Sequence, residues 1–109
     1  LIQQTETAKR QILRLLEYYL DIDRERAAEL LIDAVRAAYR RIEASPDAGR
    51  RAPTPYPDIA HWHYLWIKEH CYWFGYTVTN PPIVTNIVYD RSVMPGQIAD
   101  LDDVVPSDW

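Results

Sequence analysis

Three histidines, eight tyrosines and a small set of basic side chains carry whatever chemistry this chain could perform. Cleavage of RNA through its own ribose 2′-hydroxyl needs a base, an acid and cations around the developing phosphorane charge. His61, His63, His70 and Tyr89 could move the protons, and Lys68 and Arg91 could supply the charge. Arg91 follows a run that reads as a β-strand, where a concave sheet edge would present it. The competing reading of Arg91 is an ion pair with a nearby carboxylate, and exposed pairs of that kind contribute little. If a strand runs through His61 and His63, their i,i+2 spacing puts both on one face, able to act together or to hold a metal ion. No third ligand stands at a metal-site spacing, and H-E-x-x-H is absent. Ordinary strand histidines are the preferred reading, with no metal and no cofactor expected.

The aromatic residues offer a second chemistry. Trp62, Trp66, Trp73, Tyr64 and Tyr72 could stack on unpaired bases. A sheet core with a surface for a partner helix accounts for them better, because Trp and Tyr are enriched at protein interfaces. Trp62, Trp66, Trp73 and Tyr72 are therefore the candidate partner-binding residues. The arginines between residues 24 and 41 read as the solvated face of a helix, and Arg50 and Arg51 as a small patch on a loop.

Composition narrows the class. The chain has 109 residues, 48% of them hydrophobic and 26% charged, which suits one soluble domain rather than disorder. No apolar run reaches the roughly 18–20 residues of a membrane helix, and no signal-peptide pattern opens the chain. Cys71 is the only cysteine, so an intramolecular disulfide and a thiolate metal cluster are excluded, and a cytoplasmic setting is expected. Asp100, Asp102, Asp103 and Asp108 are the only charges in 99–109 and equal the whole net charge of −4. Nucleic-acid binders generally carry a positive footprint, which this balance does not advertise.

The elements that must position these residues centre on the stretch Cys71 to Asp90. Two runs of β-branched and aromatic residues flank Thr79-Asn80-Pro81-Pro82, the pattern of a hairpin with prolines in the turn. Tyr72, Phe74, Tyr76 and Val78 alternate with Cys71, Trp73, Gly75 and Thr77, giving one apolar and one mixed face. Ile83 and Ile87 on one face, with Val84 and Val88 on the other, predict a central strand covered on both sides. Upstream, Leu1 to Thr5 reads as a first strand ending at a helix cap. Ala8, Ile12, Leu15, Leu16 and Tyr19 form one helical stripe; Ala27, Leu30, Leu31, Ala34, Ala38 and Ile42 form another. Asp23 is the expected N-cap of the second helix. Three prolines in Arg50 to Asp58 mark an irregular connector, and a further strand is expected near His63–Lys68, followed by a tight turn. Beyond Arg91 a helical turn or an edge strand is expected, and Val104 to Trp109 reads as a tail. The order is β-α-α-β-β-β: an α+β fold with an antiparallel sheet and an N-terminal helical hairpin on one face.

That order and several local motifs resemble the RelE/ParE superfamily of toxins from type II toxin–antitoxin modules. The opening L-I-Q-Q-T-E-T-A-K-R-Q-I-L-R-L-L-E-Y-Y is similar to the family's first strand and helix, and S-P-D-A-G-R to the end of its second helix. Y-W-F-G-Y-T-V and I-V-T-N-I-V-Y-D-R stand where members have their Tyr-Arg-containing strand and their last strand. The resemblance spans residues 1–98, taken as a single toxin domain, with 99–109 as an acidic tail. It implies a growth-inhibiting toxin neutralised by a cognate antitoxin. Ribosome-dependent mRNA endonucleases of the family carry an arginine where Trp73 stands, and an acid–base residue near the C-terminus that is not found here beyond Tyr89. Arg91 matches the arginine after the last strand, and Lys68 lies near the basic residues of the concave face. The ParE branch, associated with poisoning DNA gyrase, needs no nuclease residues and is therefore the favoured expectation. The alternatives are a RelE-like endoribonuclease acting on the ribosome, with Arg91, Lys68, His70 and Tyr89 as its catalytic candidates, and a non-toxic binding module.

Overall fold

The side chain of Thr5 joins the two layers of the molecule. In the computed structural model, which describes residues 2–50, 64–89 and 104–106, Thr5 ends strand β1 (Gln3–Thr5) and caps helix α1 (Glu6–Asp21). Its hydroxyl accepts from the Ala8 amide at 3.1 Å and donates to the Thr85 carbonyl at 3.0 Å. One group thereby satisfies an orphan helix amide and ties α1 to the sheet.

Helix α1 buries Ala8 and Ile12 and packs Leu15, Leu16 and Tyr19 against the core. It closes with a Schellman arrangement, in which Asp23 N–H donates to the Leu20 carbonyl and Arg24 N–H to the Tyr19 carbonyl. Asp23 takes the left-handed position there, at φ 57°. The expected N-cap role of Asp23 is thus corrected: helix α2 (Glu25–Ala44) starts after Arg24, with no side-chain cap. Aspartate is among the few residues that tolerate this conformation, and the turn uses it as a substitute for glycine. The buried stripe of α2 comprises Ala28, Leu31, Ala34, Val35, Ala38, Tyr39 and Ile42. Ala27 and Leu30, expected in the core, lie only half-buried beside it.

Strands β2 (Tyr64–Glu69), β3 (Tyr72–Thr77), β4 (Ile83–Tyr89) and β5 (Val104–Pro106) complete a five-stranded sheet in the order β2-β3-β4-β1-β5. The expected central strand, β4, does lie in the middle. The sheet is mixed, not antiparallel, because β1 runs parallel to β4. Hairpin periodicity fixes the direction of β2, β3 and β4 relative to one another, but the direction of β1 depends on where the long α2–β2 connector returns the chain, which no local pattern encodes. The expected tail is also corrected, since Val104–Pro106 pairs antiparallel with β1. Val78 is exposed beyond the end of β3 rather than on its apolar face. The turn that follows is held by Thr77 and Thr79: Thr77 Oγ1 accepts from the Ile83 amide at 3.1 Å, and Thr79 Oγ1 donates to the Pro81 carbonyl at 2.9 Å.

The β3–β4 register contains one extra residue. Tyr76 pairs with Val84 and Gly75 with Asn86, so Thr85 is a bulge. The bulge places Val84 and Ile87 together on the helix side, where both join the core with Phe74, Tyr76, Leu31, Val35 and Ile42. Strict alternation had separated them. Each such aliphatic side chain contributes about 1.5–3 kcal/mol by leaving water. Tyr39 crosses this core, with its ring edge-on to Phe74 and its hydroxyl donating to Gln4 Oε1 at 2.6 Å. Among the described residues no helix is long and apolar enough to cross a membrane.

Tyr76 locks the end of α2 onto the sheet. Its hydroxyl donates to the Pro46 carbonyl at 2.7 Å and accepts from the Gly49 amide at 3.0 Å. A Cβ at Gly49 would stand 2.7 Å from that hydroxyl, 2.9 Å from Leu65 Cβ and 3.0 Å from the Trp66 carbonyl, so only glycine permits the approach. Gly49→Ala is expected to lower stability by about 1–3 kcal/mol, the usual cost of overpacking. Urea unfolding measures this, and an unchanged midpoint would show that the loop does not bear on Tyr76.

Candidate functional site

The sheet separates the expected site residues onto its two faces. Lys68 is the cross-strand partner of Trp73, Trp66 of Gly75, and Trp73 of Val88, all on the face away from the helices. Tyr72 and its partner Tyr89 point to the helix side, where Tyr72 joins the core. Lys68 therefore stands on the other face from Tyr89 and His70, which line one pocket on the helix side. Arg91, Trp62, His61 and His63 lie outside the described residues. Among the described residues no group of three or more His, Cys, Asp or Glu side chains is placed to hold a metal ion.

On the helix side, the ends of α1, β3 and β4 enclose an aromatic pocket of about 490 Å³. Tyr72 forms its floor and is 2% exposed. The Tyr72 and Tyr19 hydroxyls are 2.6 Å apart, one donating to the other. The Tyr89 ring stands edge-on to Tyr72 at 5.8 Å, and His70 lies 6.3 Å from the same ring. Burial, followed by the hydrogen bond to Tyr19 and the neighbouring Tyr19 and Cys71 groups, raises the Tyr72 pKa well above the usual tyrosine range. Tyr72 is thus held as a neutral phenol, suited to shape and hydrogen bonding rather than to proton transfer near neutral pH. His70 sits at φ 56° in the two-residue turn between β2 and β3. That position favours glycine, and histidine is among the few other residues found there.

The pocket mouth combines Tyr89, an expected site residue, with Tyr18, which the sequence reading did not assign to a site. Tyr18 is 59% exposed, Leu20 50%, Ile22 44% and Tyr89 41%. Tyr18 falls off the buried stripe of α1, so the periodicity that located the helix also carried the signal for this surface. At the β2 edge of the sheet Arg41 of α2 meets Arg50, Lys68, Trp66 and Trp73 around a cleft of about 400 Å³. Arg41 was read as part of a solvated helix face. It is exposed as expected and also spans to β2, donating to the Glu69 carboxylate and, at 3.2 Å, to the Lys68 carbonyl.

Tyr72 keeps its proton in the folded chain at pH values where the unfolded chain has lost its own. Its contribution to stability is therefore complete below about pH 10, the ordinary tyrosine value, and declines as pH rises above it. Tyr72→Phe is expected to shallow that decline in urea denaturation carried out across the alkaline range. Tyr76, whose pKa is raised chiefly by burial, maintains part of it. An identical decline in the variant would show that Tyr72 ionises as freely folded as unfolded. The chain matches no protein-family model and no curated protein, so the roles of these side chains rest on their geometry.

Proposed function

We propose that this chain is the toxin of a type II toxin–antitoxin pair, resembling the ParE branch, and that it acts by binding an essential protein target such as DNA gyrase. The observation that carries the binding mode is the aromatic end of the domain, where Tyr18 and Tyr89, both exposed, line a preformed pocket with Leu15, Leu30 and Tyr72. Contiguous apolar surface of this kind marks interaction sites, and tyrosine anchors are common at their centres. The β-α-α-β-β-β order over residues 3–89 supports the family reading. The separation of Lys68 from Tyr89 across the sheet favours binding over ribosome-dependent RNA cleavage. A cognate antitoxin covers the aromatic end by inserting an apolar segment into the pocket.

Expression of the chain alone is expected to arrest growth with induction of the DNA-damage response, and co-expression of the neighbouring reading frame is expected to relieve it. Replacing Tyr18 by Asp, at an exposed position that leaves the core intact, is expected to preserve the fold and to abolish this relief. A translation block with cut mRNA would favour the endonuclease reading. No arrest from folded protein would favour a non-toxic binding module. Undiminished relief of the Tyr18 variant would remove this surface from the antitoxin interface.

A further inference from the structure

The aromatic pocket on the helix side carries one permanent charge. Arg24 lines it together with Tyr19, Tyr72, Tyr89, Leu15 and Leu30, and none of the described lining residues is acidic. The backbone of Arg24 is fixed, its N–H donating to the Tyr19 carbonyl at 2.7 Å and its carbonyl accepting from the Ala28 N–H at 3.1 Å. Arg24 is exposed, and among the described residues its guanidinium forms no ion pair. A guanidinium stays charged throughout the physiological pH range and presents a planar fork that matches a carboxylate. The floor supplies a second polar group. The Tyr19 and Tyr72 hydroxyls are 2.6 Å apart, and that contact uses only one of their two protons. Burial holds Tyr72 in its protonated form, so the pair keeps one proton for a further acceptor.

From these groups we propose that the pocket binds a small aromatic monocarboxylate, with its carboxylate on Arg24 and its ring against Tyr72 and Tyr89. One cation matches one negative charge, whereas a phosphate monoester near its dianionic form calls for more than one. Aromatic rings favour edge-on and offset contacts, and the walls are already arranged for them. The Tyr89 ring stands edge-on to Tyr72 at 5.8 Å, and the His70 ring lies 6.3 Å from Tyr72. A volume of about 490 Å³ falls in the range of small-molecule sites, which are mostly apolar with a few placed polar groups. The assignment depends on the lining of the pocket and not on the toxin reading. A ligand seated there and an apolar segment inserted by an antitoxin would exclude one another.

Titration of the purified chain with phenylacetate, followed by calorimetry and by the ring resonances of Tyr72 and Tyr89, tests the proposal. Saturable binding that shifts both sets of resonances is expected. The neutral analogue phenylacetamide is expected to bind about tenfold more weakly, the loss of one charge-assisted contact. Arg24→Gln, at an exposed position, is expected to weaken phenylacetate by a similar factor while leaving phenylacetamide binding and the circular dichroism spectrum unchanged. Hexanoate, which has the charge without the ring, is expected to bind more weakly than phenylacetate. The proposal is overturned by absence of saturable binding at millimolar phenylacetate, or by acid and amide binding equally well. It is likewise overturned if Arg24→Gln binds phenylacetate as tightly as the parent chain, or if hexanoate matches phenylacetate.

Discussion

The extra residue between Gly75 and Asn86 decides which side chains the molecule presents on each face. Without the Thr85 bulge, period-two alternation would put Val84 and Ile87 on opposite sides of β4, and one of them would leave the core. With it, Val84, Ile87 and Tyr89 all face the helices, and Asn86 and Val88 face away. Thr85 is held there by its neighbours. Its hydroxyl donates to the Gly75 carbonyl at 3.3 Å, and its own carbonyl accepts from Thr5, the residue that caps α1. Register, helix position and the orientation of Tyr89 are therefore linked through two threonines.

That linkage explains why two surfaces of opposite character lie back to back. The helix side ends in tyrosines whose hydroxyls are either paired, as in Tyr19 and Tyr72, or displayed beside apolar residues of α1. The far side, at the β2 edge, gathers Arg41, Arg50 and Lys68 around two indoles. A single layer of strands separates them. The left-handed backbone at His70 lies at the hairpin between β2 and β3, within reach of the aromatic pocket. A conformation of this kind is retained when surrounding contacts over-determine it, and here the Tyr72–Tyr89 and Glu69–Arg41 contacts do so.

Much of the architecture was legible in the residues. The stripes of α1 and α2, the threonine cap, the proline turn and the central position of β4 all follow from spacing and side-chain type. What was not legible depends on contacts between distant segments. The parallel pairing of β1 with β4 and the recruitment of Val104–Pro106 as β5 arise from non-local neighbours. The bulge escapes periodicity because Thr85 looks like any β-branched strand residue. Asp23 carried a real signal that was assigned to the wrong helix end, since aspartate suits both an N-cap and a left-handed turn. Of the candidate site residues, Lys68 and Trp66 share a face of β2 by alternation, but their pairing with Trp73 and Gly75 follows from the β2–β3 register. Their separation from Tyr72 and Tyr89 required knowing which face the helices cover. Arg41 was hidden because an arginine on a helix carries no sign of the strand it will reach.

The central claim is that the aromatic end of the domain is a protein-binding surface. Hydrogen–deuterium exchange on the chain, free and in complex with the product of its neighbouring reading frame, tests it most directly. Protection concentrated at 18–24 and 70–72, with the Lys68–Trp73 side unchanged, is the expected result. Complex formation that protects β2 and Arg50 on the opposite face, and leaves 18–24 exchanging as in the free chain, would contradict it.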